Sequence, residues 1–212
     1  MMRIGIIGSG NVGGTLGKGW AKGGHSVIFG SRDPGSAGIK ALVAESGPLA
    51  GAGSLAEAAA ASEVVLIATP WPATREIVQG LGKLGDKIIL DATNPLLPGL
   101  TGLEVGTNSS GGEQVALWTG STRVVKVFNT VGFSVMANPR FDEGGALLFY
   151  CGDDSEAKGV AARLARELGF EAADAGPLSQ ARLLEPFALL WIKLSMMPGY
   201  SRDFAFKIIK HD

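Results

Sequence analysis

The stretch RIGIIGSGNVGGTLGKGWAKGGHSVIFGSR, residues 3–32, constrains the fold more than any other part of the chain. An apolar run, Ile4–Ile7, leads directly into Gly8-Ser9-Gly10-Asn11-Val12-Gly13, which has the spacing G-x-G-x-x-G. Val12, Leu16 and Trp20 then fall on one stripe of a helix. Gly23-Gly24 stop that helix, and Ser26–Gly30 reads as a second strand. In a chain with 32 glycines the triplet alone says little. Placed between a strand and a helix inside a short β-α-β unit, it is a dinucleotide-binding fingerprint. A side chain at position 10 would hold a pyrophosphate away from the backbone. Bare N–H groups at a helix start, and the positive end of the helix dipole, attract it. Gly8, Ser9, Gly10, Asn11 and Val12 are therefore the candidate phosphate-binding residues.

The end of the second strand discriminates between dinucleotides. An Asp or Glu there holds the ribose 2′-hydroxyl of NAD and repels a 2′-phosphate. This chain has Gly30-Ser31-Arg32 instead, a hydroxyl and a guanidinium, which suit a phosphate. NADP(H) is favoured over NAD(H). Asp33 falls one residue late and is expected to point away.

Composition removes several classes of function. The formal net charge is −1, and no basic run is interleaved with aromatics, so nucleic acid is not implied. One cysteine, Cys151, excludes a disulfide framework and a cysteine metal site. The N-terminus enters the first strand at once, with no secretory pattern, so a soluble cytoplasmic protein is expected. The most apolar stretch, Leu183–Met197, is interrupted by Glu185 and Lys193 and is too short to span a bilayer.

Further strands are read at Val64–Ala68, Lys87–Ala92, Arg123–Phe128 and Ala146–Cys151, the last taken as the final strand of the sheet. Ile39–Ala44 reads as a short helix. Helices also follow capping boxes at Ser54–Glu57 and Ser110–Glu113, and Ser155–Leu168 is strongly amphipathic. The alternation predicts a doubly wound parallel sheet, an α/β Rossmann-type fold over residues 1–152, with a small C-terminal extension over 153–212. In that extension Gln180–Met197 is apolar almost all round, which suits a core helix or a homodimer interface. Pro186 is expected to kink or break it.

In such a sheet the ligand lies beyond the carboxyl ends of the strands. Those ends place Ala68, Thr69, Pro70, Trp71, Asn94, Asn129 and Thr130 on the nicotinamide side, where the polar groups suit a carboxamide and ribose. Trp71 suits packing or cover for a flat ring. Asp91 and Lys126 each stand three residues before an asparagine, Asn94 and Asn129. Aligned on neighbouring strands, they become a buried pair on one face. Both histidines, His25 and His211, lie away from this edge. No H-E-x-x-H, C-x-x-C or G-x-S-x-G occurs, so no metal ligand or catalytic residue is assigned. An alcohol dehydrogenase needs a positioned acid or base, for which only Lys193 or Glu185 offers itself. Hydride transfer between two cofactor rings needs none.

These residues resemble the NADP oxidoreductase family that reduces the deazaflavin coenzyme F420, and the related oxidoreductase domain of the STEAP metalloreductases. The resemblance rests on the stretch over residues 4–32, the ATPW turn, LDATNP, VVKVFNT and AGPLSQARLLEPFALLWIKL. It implies NADP(H) as cofactor, with Ser9, Gly10, Asn11 and Val12 at the pyrophosphate and Ser31 and Arg32 at the 2′-phosphate. It also implies a small hydride acceptor, F420 or a flavin. The family carries a further basic residue soon after the arginine and a histidine after the fifth strand. Here those places hold Asp33–Ser36, with Lys40 the nearest lysine, and Asn129-Thr130. A hydroxyacid or ketopantoate-type dehydrogenase and a non-enzymatic NADP(H) sensor are the competing readings.

Overall fold

A computed structural model describes residues 1–142, 144–209 and 211. The opening unit forms as the apolar spacing dictates: β1 (Arg3–Ile7), α1 (Asn11–Lys22) and β2 (Ser26–Gly30). The chain continues through α2 (Ala37–Ser46), β3 (Ala50–Gly53), α3 (Leu55–Ala60), β4 (Val64–Ile67), α4 (Trp71–Gln79) and β5 (Ile88–Asp91). Then come α5 (Gly111–Thr119), β6 (Val124–Lys126), α6 (Phe133–Ala137) and a two-stranded ribbon of β7 (Arg140–Phe141) and β8 (Gly144–Gly145). The described chain closes with β9 (Leu147–Gly152), α7 (Ser155–Leu168), β10 (Glu171–Asp174) and α8 (Ala181–Leu194).

Eight strands make one sheet in the order β10-β9-β6-β5-β4-β1-β2-β3. The order reverses at β1, where the chain winds out to β3 on one side and back to β4 on the other. That reversal opens the crevice in which ligands of such sheets bind. Alternating side chains feed two cores. Ile4, Ile6, Phe29, Leu66 and Leu90 pack with α1, α6 and α7. Ile7, Val65, Ile67 and Ile89 pack with α3, α4 and α5. Both faces are covered, which is why the strands read as continuous apolar runs.

Four features depart from the expectations above. β9 runs antiparallel to β6, so the sheet is parallel except at that junction; an apolar run carries no direction. β9 is also not the last strand, since β10 pairs parallel beside it. β3, with the sequence AGAG, escaped the reading because it has no β-branched or aromatic residue. Finally, α8 runs unbroken through Pro186. The carbonyl that loses its partner there belongs to Arg182, near the helix start, and Pro186 lies on the exposed face.

The first capping box forms as expected, with Ser54 and Glu57 bonding each other's backbone. The second forms by half. Ser110 accepts the Glu113 N–H. The Glu113 carboxylate turns to Arg182 at 2.6 and 2.9 Å, and that guanidinium holds its pKa below the usual carboxylate range. Among the described residues no helix is long and apolar enough to cross a membrane.

Candidate functional site

The three fingerprint glycines have distinct physical reasons. At Gly13 an added Cβ would stand 2.0 Å from the Gly8 carbonyl oxygen, so only glycine lets α1 start this close to β1. Gly8 adopts φ +105°, and its Cβ would meet the Ala68 carbonyl oxygen at 2.4 Å. Gly10 has ordinary φ −74°, and its Cβ would meet no protein atom within 4 Å. Protein packing does not require glycine there; the space over the α1 N-terminus does. No side chain caps that terminus, and its first turn has no acid, which leaves N–H groups for an anion.

Three cavities adjoin along this edge of the sheet. One, of about 500 Å³, holds Gly8, Gly10, Asn11, Val12, Ala68, Thr69, Pro70, Trp71 and Asn94. A second, of about 370 Å³, lies across β2 and holds Ser9, Ser31 and Arg32, floored by Leu55 and Ile77. A third, of about 540 Å³, lies between α1 and α2 and shares Ser9, Gly10 and Ser31 with its neighbours. Twelve of the fourteen residues assigned from sequence thus line one connected trough. Arg32 is exposed and makes no ion pair or hydrogen bond among the described residues. Asp33 borders the second cavity, but its Oδ1 accepts the Gly35 N–H and is folded into its own loop.

Asn129 and Thr130 line none of these cavities; they are buried behind the first one, 5% and 1% exposed. Phe128, at φ +64°, turns the chain sharply after β6. Asn129 then meets Asn94. The Asn94 amide donates to the Asn129 carbonyl at 3.0 Å, and the Asn129 amide donates to Asn94 Oδ1 at 3.1 Å and to the Leu184 carbonyl at 3.2 Å. Asn129 Oδ1 and Thr130 Oγ1 are buried with no hydrogen-bond partner. Trp71 packs on Trp118 with centroids 5.2 Å apart, as one of its two readings expects, and it also borders the cleft.

Beneath the cleft lies a charged cluster. Asp91 and Lys126 are directly paired in register, and Lys126 Nζ donates to Asp91 Oδ2 at 2.8 Å. Its other donors reach the Thr93 carbonyl at 2.7 Å and Glu185 Oε1 at 2.8 Å. All three side chains are buried. Asp91 Oδ1 accepts the Thr93 N–H and hydroxyl at 2.9 and 2.7 Å. The Glu185 carboxylate accepts the N–H groups of Gly111 and Gly112 at 2.8 and 3.0 Å, at the positive end of α5. The Gly-Gly pair admits it: a Cβ on Gly111 would stand 3.0 Å from Glu185 Oε1. Burial alone would lower the Lys126 pKa; the two carboxylates outweigh it and raise it.

The sequence reading paired Asp91 with Lys126 and missed Glu185 as the third member. The signal was present, since the one carboxylate of a mostly apolar helix, set between Leu184 and Pro186, has to find a partner if it is buried. Lys18 was also missed. Asn11, Thr15 and Lys18 share a helical face, and all three line the third cavity. Other reactive groups stand apart. His25 lies at the opposite edge, between the Met2 N–H and Glu167. Cys151 is buried, which pushes its thiol up to about 12, so it is no nucleophile. Among the described residues no cluster of metal-ligating side chains occurs.

The profile of the family described as NADP oxidoreductase, coenzyme F420-dependent, matches residues 3–95. Metalloreductase STEAP3 of Rattus norvegicus is 31% identical over 200 residues, covering 93% of this chain. The chain spans only 38% of that protein's length. The F420-dependent NADP reductase of Methanothermobacter thermautotrophicus is 29% identical over 221 residues, covering 92% of this chain and 90% of that one. A crystal structure of a candidate F420-dependent NADP reductase from Arthrobacter sp. FB24 superposes with a TM-score of 0.89 at 31% identity, over 99% of this chain and all of the other. Since fingerprint, strand order and near full-length similarity agree, the chain belongs to the coenzyme F420-dependent NADP oxidoreductase family.

Proposed function

We propose that this chain is an oxidoreductase that moves hydride between NADPH and a deazaflavin (F420) or flavin-type acceptor. One observation carries the cofactor choice: Ser31 and the unpartnered Arg32 stand at the end of β2, where an NAD-specific chain has an acid. The residues fit the dinucleotide along its length. The open face of Gly10 and the α1 N-terminus suit the pyrophosphate, and the apolar floor of Leu55 and Ile77 suits adenine. The cleft of Val12, Trp71 and Asn94 suits the nicotinamide. Asn94 lines this cleft and is held by Asn129 from behind, which suits it to orient the carboxamide.

The nicotinamide supplies the hydride when bound; the chain's own part is to hold and orient. With two flat rings kept face to face and reacting atoms about 3–3.5 Å apart, hydride passes to the acceptor ring and the proton that completes its reduction comes from solvent, not from a side chain. No histidine is among the described residues that line these cavities, so the rate is expected to lack a steep dependence between pH 6 and 8. The hydroxyacid dehydrogenase reading loses its residues: Lys193 is exposed on the outer face of α8, and Glu185 is engaged by α5 and Lys126. The same outer face carries Leu183 and Leu190, 67% and 49% exposed, and we assign it to a homodimer contact.

The test is oxidation of NADPH and of NADH with F420, FMN and a panel of keto acids offered separately. Turnover with F420 or FMN and preference for NADPH are expected. Turnover only with a keto acid moves the protein to the dehydrogenase class. Tight NADPH binding without turnover on any acceptor makes it a sensor.

A further inference from the structure

The 2′-phosphate of NADP(H) is close to a dianion at neutral pH, yet only one cation, Arg32, follows β2 in sequence before Lys40. The geometry points to a second from another element: we infer that Lys18 of α1 is a specificity-determining residue that binds the ribose 2′-phosphate together with Ser31 and Arg32. This inference rests on the NADP(H) reading above.

Ser31 is the hinge of the argument, because it lines two cavities at once. On one side it shares a wall with Arg32. On the other it shares the cavity between α1 and α2 with Thr15, Lys18 and Ser36. A phosphate on the Ser31 hydroxyl therefore has a guanidinium on one flank and an ammonium on the other. Lys18 is held over that cavity by Glu45 of α2, with which it forms an ion pair, and Lys18 draws the Glu45 carboxyl below its usual pKa. An ammonium has three donors; one serves Glu45 and two remain for a ligand. The pair also offsets the charge of Glu45, while Asp33, on the far side of Ser31, has its Oδ1 engaged by the Gly35 N–H. Lys18 lines the cavity together with Ile39 and Leu42, and its side chain is 34% exposed, open enough to reach a ligand.

The experiment measures Kd for NADPH, NADH and adenosine 2′,5′-bisphosphate with wild type, Lys18→Gln, Lys18→Arg, Glu45→Gln and Arg32→Gln. Lys18→Gln weakens NADPH and the bisphosphate about tenfold, the scale of about 1.4 kcal/mol. It leaves NADH within about twofold, and Lys18→Arg restores most of the loss. Glu45→Gln breaks the same ion pair and so controls for structure; it leaves NADPH binding equal or tighter. The inference is overturned if Lys18→Gln binds NADPH like wild type, loses NADPH and NADH equally, or is matched by Glu45→Gln. The two readings separate through Arg32. If wild type does not prefer NADPH, both fall. If Arg32→Gln abolishes the preference and Lys18→Gln does not alter it, only the role of Lys18 falls.

Discussion

Lys126 Nζ and Glu185 Oε1 lie 2.8 Å apart, so a central strand and the last helix meet through a fully buried ion pair. With Asp91 the cluster holds two carboxylates and one ammonium. The excess negative charge is met by the N–H groups that begin α5 and by Thr93. Lys126→Met strands two buried carboxylates and costs about 3–5 kcal/mol. Glu185→Gln costs less, because it removes the excess charge and keeps an oxygen for the α5 N–H groups. Urea unfolding of the two variants checks the order, and an equal or reversed ranking refutes it.

Arg32→Ala weakens NADPH binding by about 1.5–3 kcal/mol, the scale of a hydrogen bond to a charged group. NADH affinity stays nearly constant, since Arg32 has no structural partner to lose among the described residues. Isothermal titration with both cofactors decides. Equal losses would remove the 2′-phosphate assignment.

Two fingerprint glycines separate ligand from packing. Gly10→Ala costs below about 1 kcal/mol of stability, because its Cβ meets open space, but it sharply reduces dinucleotide affinity. Gly13→Ala costs about 3 kcal/mol or more, because its Cβ meets the Gly8 carbonyl at 2.0 Å. Thermal melts with and without NADPH distinguish them. Unimpaired NADPH binding by Gly10→Ala would place the pyrophosphate elsewhere.

Leu183 and Leu190 occupy the outer face of α8, and Met197 continues the apolar surface beyond it, 52% exposed. A paired substitution, Leu183→Glu with Leu190→Glu, converts a dimer to a monomer in sedimentation and leaves the fold intact. A wild-type protein that is monomeric at micromolar concentration excludes this interface.

The ion pairs fix the pH window of stability. Arg182 lowers the Glu113 pKa from 4.5, so the stabilisation from Glu113 is complete above that value and lost as pH falls through the lowered one. Lys126 is raised from 10.5; its stabilisation is complete below that value and lost only in stronger alkali. Neither titrates near neutrality. Melting temperature is expected to fall in acid, and Glu113→Gln to remove part of that fall; a fall of equal size in the variant would contradict the Glu113 assignment.

Much of the site was legible because its chemistry is local. Glycines, a strand-end serine and arginine, and the cleft side chains after β4 and β5 lie where short-range pattern speaks. The apolar runs gave away the parallel strands for the same reason. What stayed hidden depends on direction or distance. The run at 147–152 pairs equally well either way, and β3 owes its place to a neighbour rather than to its own residues. Asn129 and Thr130 were given the right strand end but stand a layer deeper than expected, because Phe128 turns the backbone before them. The helix of Glu185 hints at a buried partner without saying which, and the cavity that Lys18 lines exists only once α1 packs beside α2.

The position of Glu185 also bears on synthesis. β5, α5 and β6 all precede α8 in the sequence, so Lys126 and the start of α5 depend on a residue made long after them. The buried start of α5 gains its anion only from the carboxyl-terminal helix, so a truncation that removes α8 reaches the centre of the sheet as well as its flank.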